Sequence, residues 1–197
     1  MQNDVSLRLA KRIWEVVEKE FESGELFEKV SPITKELLRF WFCEPFVSQR
    51  QFNFHKGQKQ SILNIIYLHE VLRINNVLEI YEQVAPDLLL ESDLFGAKET
   101  RNSLKESRYD LPKYLVKMAT GTGKTWVMHA LLIWQILNAK NEEEKSGRFT
   151  KNFLIVAPGL IVYDRLLDAY KGRLSENGNG RDFSTNDFVR NKDLFVP

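Results

Sequence analysis

The sequence predicts an α/β fold that is built on a parallel sheet and preceded by an α-helical region. In roughly the first ninety residues, apolar side chains recur at the three- and four-residue spacing of a helix face. From Tyr114 onwards, short apolar runs alternate with helical patterns. The order strand, helix, strand, helix requires parallel strands joined by right-handed crossovers. Only two such strands are recognisable, so we expect the sheet to be incomplete.

The N-terminal part contains four predicted helices. The first covers Val5–Phe21, and the second covers Ile33–Phe42 with Ser31-Pro32 as its N-cap and first turn. The second is apolar almost all round, which indicates deep burial. A third helix is predicted from about Gly57 to Arg73, and a fourth over Val77–Val84.

The C-terminal part begins after a polar, charged connection over Gly96–Lys113. Tyr114–Met118 and Asn152–Ala157 are short apolar runs, and we interpret both as buried strands. Each precedes a predicted helix, Lys124–Ala139 after the first and Leu160–Leu174 after the second.

Composition narrows the class of protein. The chain has 197 residues, 43% of them hydrophobic, and a net charge of +1, which offers no general electrostatic argument for nucleic-acid binding. A single cysteine, Cys43, excludes an internal disulfide and a cysteine-based zinc site. The sequence contains neither a secretory signal pattern nor an apolar run of the ~20 residues that a membrane span needs. We therefore expect a cytoplasmic protein that does not enter the membrane.

The most informative motif is Met-Ala-Thr-Gly-Thr-Gly-Lys-Thr, between a predicted strand and a predicted helix. Gly121 and Gly123 allow the backbone to wrap closely around phosphates, and the amides that follow point at the anion. Lys124 suits the β- and γ-phosphates, and the Thr125 hydroxyl suits Mg²⁺. The candidate phosphate-binding residues are Thr120, Gly121, Thr122, Gly123, Lys124 and Thr125, with Lys124 and Thr125 as the catalytic candidates. The alternative, a chance glycine turn, does not explain the order strand, Gly-Lys-Thr, helix.

Two further elements accompany this loop. Gln58 lies at the start of an apolar helix, and an amide side chain can both donate and accept hydrogen bonds. Taken alone, it fits equally an ordinary polar residue in a first helical turn. The second predicted strand ends in a proline turn at Pro158-Gly159, directly before a helix.

These motifs resemble those of a known family. The loop has Ala119 where the general motif has glycine, and this variant resembles motif I of superfamily-2 helicases. Together with Gln58 and the run Phe-Leu-Ile-Val-Ala-Pro-Gly, it resembles DEAD/DEAH-type helicase subunits of restriction enzymes. The type III restriction (Res) subunits are the nearest, and the type I motor subunits are a step further away. The resemblance covers most of residues 31–174.

The resemblance implies a RecA-like domain that binds ATP and Mg²⁺, with Gln58 contacting the adenine and Phe52 or Phe54 packing on it. Thr125 would then be the Mg²⁺ ligand. Pro158 and Gly159 would contact the backbone of a nucleic acid, with DNA the implied partner of the full protein and a modification or specificity subunit a further one. We accordingly place a helical region at residues 1–51 and the first part of the ATP-binding helicase domain at 52–197, with an insertion at about 75–113.

One motif of the family is missing. No Asp-Glu-x-His or Asp-Glu-Ala-Asp follows Pro158, and such carboxylates hold Mg²⁺ and activate the attacking water. We therefore expect a fragment of an ATP-dependent DNA translocase or endonuclease subunit that does not hydrolyse ATP alone. A non-motor nucleotide-binding or subunit-interaction module is the alternative from another class. A P-loop kinase is a third reading, although the sequence has no recognisable acceptor site.

Overall fold

The computed structural model describes residues 5–91, 112–141, 147–175 and 178–197. The chain divides into two compact units. The first consists of residues Met1–Val30 and Lys56–Gly123, and the second of Ser31–His55 and Lys124–Pro197. None of the helices in the described ranges is long and apolar enough to cross a membrane.

The first unit is helical. Its elements are α1 (Val5–Ser23), α2 (Leu26–Lys29), α5 (Lys56–Ile66, continued by a π-helical turn at Tyr67–Val71), α6 (Val77–Val84) and α7 (Pro86–Glu91). The sequence-predicted helices at Val5–Phe21, Gly57–Arg73 and Val77–Val84 are therefore confirmed within a few residues. Asn76 caps α6, because its side chain accepts from the amides of Leu78 and Glu79.

Helix α1 packs against both α5 and α6 in the core of the first unit. The apolar residues that recur along α1 turn inwards, as the helical period requires, and Val17 is fully buried. At the edge of this core, Tyr67 donates to Glu20 Oε1 at 3.0 Å. Burial and this hydrogen bond raise the pKa of the Tyr67 hydroxyl, so it remains a neutral donor.

The second unit begins with α3 (Pro32–Phe42) and α4 (Phe46–Gln49). It continues with α8 (Lys124–Asn141) and α9 (Leu160–Lys171), and then with β1 (Arg173–Leu174) and β2 (Arg181–Asp182). A 3₁₀ turn (Phe183–Thr185), α10 (Asp187–Arg190) and α11 (Lys192–Phe195) follow. The predicted N-cap of α3 is confirmed, since the Ser31 side chain accepts from the amide of Thr34 and Pro32 opens the helix.

Helices α3 and α8 are joined by a buried polar cluster. Thr34 Oγ1 accepts from Trp134 Nε1 at 2.9 Å and from Asn138 Nδ2 at 3.0 Å. All three residues are buried, so the cluster fixes the register of the two helices. The expected deep burial of α3 is confirmed by Leu37, Leu38, Phe40 and Trp41.

The predicted strands are the main difference from expectation. Tyr114–Met118 and Asn152–Ala157 are not assigned to any sheet, and within the described ranges the sheet structure is the antiparallel pair β1–β2. They are not buried as predicted either, since Leu115 is 92% and Leu154 is 89% exposed. A short apolar run favours a buried strand, but a strand exists only where a neighbouring strand supplies hydrogen bonds.

Of two smaller predictions, one differs from the structure and the other lies mostly outside the described residues. The helix predicted over Leu160–Leu174 ends at Lys171, and the last two of its predicted residues form β1. Most of the polar connection predicted over Gly96–Lys113 lies outside the described residues.

Candidate phosphate-binding loop

The glycine-rich turn of the first unit adopts a conformation that glycine makes accessible. Gly121 and Gly123 have φ values of 80° and 73°, in the left-handed region that other residues rarely enter. Gly121 lies inside a tight turn, in which Thr122 Oγ1 donates to Ala119 O at 2.7 Å. A Cβ atom at Gly121 would meet open space, so its glycine is explained by backbone conformation and not by crowding.

Gln58 contacts this turn. The residue lies in the first turn of α5 and is only 7% exposed. Its Nε2 donates to Thr122 O and to Gly123 O, both at 3.3 Å. The fold therefore brings the predicted glutamine to the predicted loop, although more than sixty residues separate them in the sequence. The part of its role that sequence reasoning missed is the contact with loop carbonyls, for which neither the spacing nor the residue types give a signal.

The segment that leads into the turn is anchored to the first unit. Residues 112–118 alternate between partly buried and exposed side chains, as successive residues do on the two opposite faces of a strand. The Tyr114 hydroxyl lies 3.3 Å from Nδ1 of His69, on the π-helical turn after α5. Helix α5 and its π-helical turn thus contact both the turn and the segment before it.

Helix α8 begins at Lys124, the residue directly after Gly123. Lys124 is exposed and Thr125 is partly exposed, and the first turn of the helix has no acidic residue. The free amides of a helix start attract anions, and a carboxylate there would compete with a phosphate. The local backbone from Gly121 to Thr125 is therefore compatible with phosphate binding.

The predicted nucleic-acid residues lie in the second unit. Pro158 and Gly159 are exposed, and Gly159 is the N-cap of α9 without a side-chain cap. Arg165 and Lys171 are exposed on the same helix. This helix start has the free amides that phosphate contacts use.

The two candidate adenine-packing residues differ in their surroundings. Phe54 belongs to an aromatic cluster in the second unit, with ring centroids 5.8 Å from Phe42 and 6.1 Å from Trp41. Phe52 is 73% exposed and lines a surface cavity of about 700 Å³. Arg50 lies in the same cavity, but its guanidinium donates to Phe40 O and Trp41 O. It therefore stabilises the end of α3. Of the pair, Phe52 has a ring that a ligand can reach.

The second unit also contains a buried histidine. His129 is fully buried in the second unit, and its ring centroid lies 4.6 Å from Phe188 and 5.2 Å from Tyr170. Burial lowers the pKa of His129 to about 4. No group of three His, Cys, Asp or Glu side chains in the described ranges could hold a metal ion.

Comparison with known families identifies the class of protein. The family model for the res subunit of type III restriction enzymes matches residues 51–196, which is most of the chain. The chain therefore belongs to this family, as its motifs predict, and the family implies the P-loop helicase fold. Members of the family are helicase-like, generally use ATP and Mg²⁺, and are associated with DNA. Searches of curated proteins and of solved structures found no match.

Proposed function

We propose that this chain is the ATP-binding N-terminal part of an ATP-dependent DNA translocase subunit of a type III-like restriction enzyme. The observation that carries the proposal is the Gly121–Gly123 turn, with both glycines at positive φ and directly followed by the start of α8. Family membership adds the helicase-like context.

Each loop residue has a proposed role. The amides from Gly121 onwards bind the phosphates, and Thr120 and Thr122 shape the turn around them. The Lys124 ammonium neutralises charge on the β- and γ-phosphates. The Thr125 hydroxyl is one Mg²⁺ ligand, and the ion, when bound, offsets charge that develops on the γ-phosphate. By the family resemblance alone, Gln58 would contact the adenine.

Hydrolysis needs groups that these 197 residues do not provide. No acidic pair of the helicase type follows Pro158 in the sequence. Such a pair holds the metal and orients the attacking water, and its absence removes most of the stabilisation of the transition state. We therefore propose that this chain binds ATP without turning it over.

Our proposal for the fold is more detailed than the fold that family membership implies. We propose that residues 114–118 and 152–157 are strands of a parallel RecA-like sheet in the complete motor domain. Their period-two exposure and exposed apolar side chains support this assignment. We also propose a domain boundary between residues 51 and 52, which is supported by the start of the family match at residue 51. Pro158 and Gly159 remain proposed contacts to a DNA backbone.

Isothermal titration calorimetry with ATP and Mg²⁺ tests the binding claim. We expect Lys124→Ala to weaken ATP binding by roughly tenfold or more, because it removes a charge-assisted contact to the phosphates. Lys117→Ala is the matched control, since Lys117 is an exposed lysine in the segment before the loop. Equal affinities for wild type and Lys124→Ala would show that the loop is not the binding site.

A phosphate-release assay tests the second claim. We expect no ATP turnover above the buffer blank, with or without double-stranded DNA. Turnover that Lys124→Ala abolishes would contradict the proposal, since it would mean that a catalytic acid or base exists within these residues.

A further inference from the structure

The Gln58 side chain contacts the loop through its donors. Its amide nitrogen carries two N–H groups, and two loop carbonyls, Thr122 O and Gly123 O, lie 3.3 Å from it. A side chain that reads adenine must present its donor and acceptor to the base edge. In this structure the donor group is directed at the protein backbone, which points to a role other than base recognition.

The peptide geometry shows what these contacts accomplish. In a planar trans peptide the C=O and N–H groups point in opposite directions. Fixing Thr122 O towards Gln58 therefore directs the N–H of Gly123 away from it, and fixing Gly123 O does the same for the N–H of the next residue. These are two of the amides that the proposed function assigns to phosphate binding. Glycines such as Gly121 and Gly123, with φ of 80° and 73°, have other accessible backbone conformations, and these contacts favour the observed one.

We propose that Gln58 is a positioning residue for the phosphate loop, which holds the loop amides in the orientation that binds a polyphosphate. The inference rests on the proposed function, because it assigns Gln58 a role at that same site. Gln58 is itself well placed for this task, because it lies on a regular helix and is buried. A rigid donor preorganises the loop, and preorganisation lowers the entropic cost of binding.

Two ligands distinguish a positioning role of Gln58 from an adenine-reading role. Inorganic tripolyphosphate has the phosphates of ATP and no base. A positioning residue affects both ligands alike, whereas a base-reading residue affects only ATP. We expect Gln58→Met to weaken the binding of Mg²⁺–tripolyphosphate and of Mg²⁺–ATP by the same factor, roughly five- to tenfold, from the loss of two neutral hydrogen bonds.

The variants are chosen to keep the fold comparable. Methionine retains the length and volume of the buried side chain without its donors. Gln58→Leu is the second variant, since it also lacks the donors and adds no charge next to the phosphates. Gln60→Met is the matched control, because Gln60 is an equally buried glutamine two residues along α5 that donates to Asn64 Oδ1. Circular dichroism and thermal unfolding of each variant establish that α5 is retained.

The outcomes distinguish this inference from the proposed function. A parallel loss of both affinities in the Gln58 variants, with Gln60→Met unchanged, supports positioning. Weaker ATP binding with unchanged tripolyphosphate binding overturns the inference in favour of adenine recognition, and so do unchanged affinities for both ligands. In those cases Lys124→Ala still weakens both ligands and the proposed function stands. If the wild-type chain binds neither ligand, the proposed function fails and the inference fails with it.

Discussion

At the residue scale, His129 carries an energetic cost that the rest of the second unit must offset. Both of its ring nitrogens and the hydroxyl of Tyr170 are buried without a hydrogen-bond partner among the described residues. The nearest charge is Asp187 Oδ2, 4.0 Å from His129 Nδ1. Burial raises the pKa of Tyr170 to about 12, so that residue stays neutral. The charged form of His129 is therefore disfavoured in the folded state.

The sign of the resulting pH dependence follows from the lowered pKa of His129. The folded state binds fewer protons than the unfolded state between pH 6.5 and about 4, so stability falls as the pH falls through this window. We expect the free energy of unfolding to be about 2 kcal/mol lower at pH 5 than at pH 7.5. Burial raises the pKa of Asp187, which recovers part of this loss at the acid end.

Urea unfolding at several pH values, followed by tryptophan fluorescence, measures this effect. His129→Leu should flatten the pH dependence without loss of stability at pH 7.5, because an apolar side chain needs no partner. His55→Leu is the control, since His55 is exposed and belongs to the same unit. The interpretation fails if His129→Leu leaves the pH profile unchanged, or if His55→Leu flattens it equally.

At the element scale, the packing of α3 on α8 depends on the hydroxyl of Thr34. Thr34→Val keeps the shape but removes the acceptor of Trp134 Nε1 and one of the two acceptors of Asn138 Nδ2, which retains Trp134 O. An unsatisfied buried donor costs about 1–3 kcal/mol, so we expect a loss of roughly 1–3 kcal/mol of unfolding free energy. Thr34→Ser keeps the acceptor and should lose less. A valine variant as stable as wild type in urea would contradict this account.

The elements also show which parts of the fold can be predicted from the sequence and which cannot. Helix starts such as Ser31-Pro32 are local, since the cap and the first turn lie within four residues, and they were predicted correctly. Strands are not local, because the pattern at residues 114–118 contains no information about a pairing partner. The contact of Gln58 with the loop is also non-local, because it joins residues that are far apart in the sequence. Its residue type and its position upstream of an ATP motif were recognisable, but its bonds to two backbone carbonyls depend on the folded path of the chain.

At the scale of the whole chain, exposed apolar residues are concentrated in one stretch. Residues 153–163 contain Leu154 at 89% and Ile161 at 73% exposure, and their large apolar neighbours are also exposed. Single exposed apolar residues are ordinary, but a contiguous patch of this kind marks a surface that favours burial against another. In the proposed motor domain, neighbouring strands would cover residues 152–157.

This concentration predicts that the purified 197-residue chain self-associates as its concentration rises, through the 153–163 stretch. The double substitution Leu154→Lys with Ile161→Lys should shift the association to higher concentration, because burying two ammonium groups is costly. Sedimentation velocity over a dilution series measures this shift. Leu7→Lys is the matched control, since Leu7 is an exposed leucine on α1 in the first unit. A wild-type chain that stays monomeric, or an equal shift with Leu7→Lys, would mean that this stretch does not drive association.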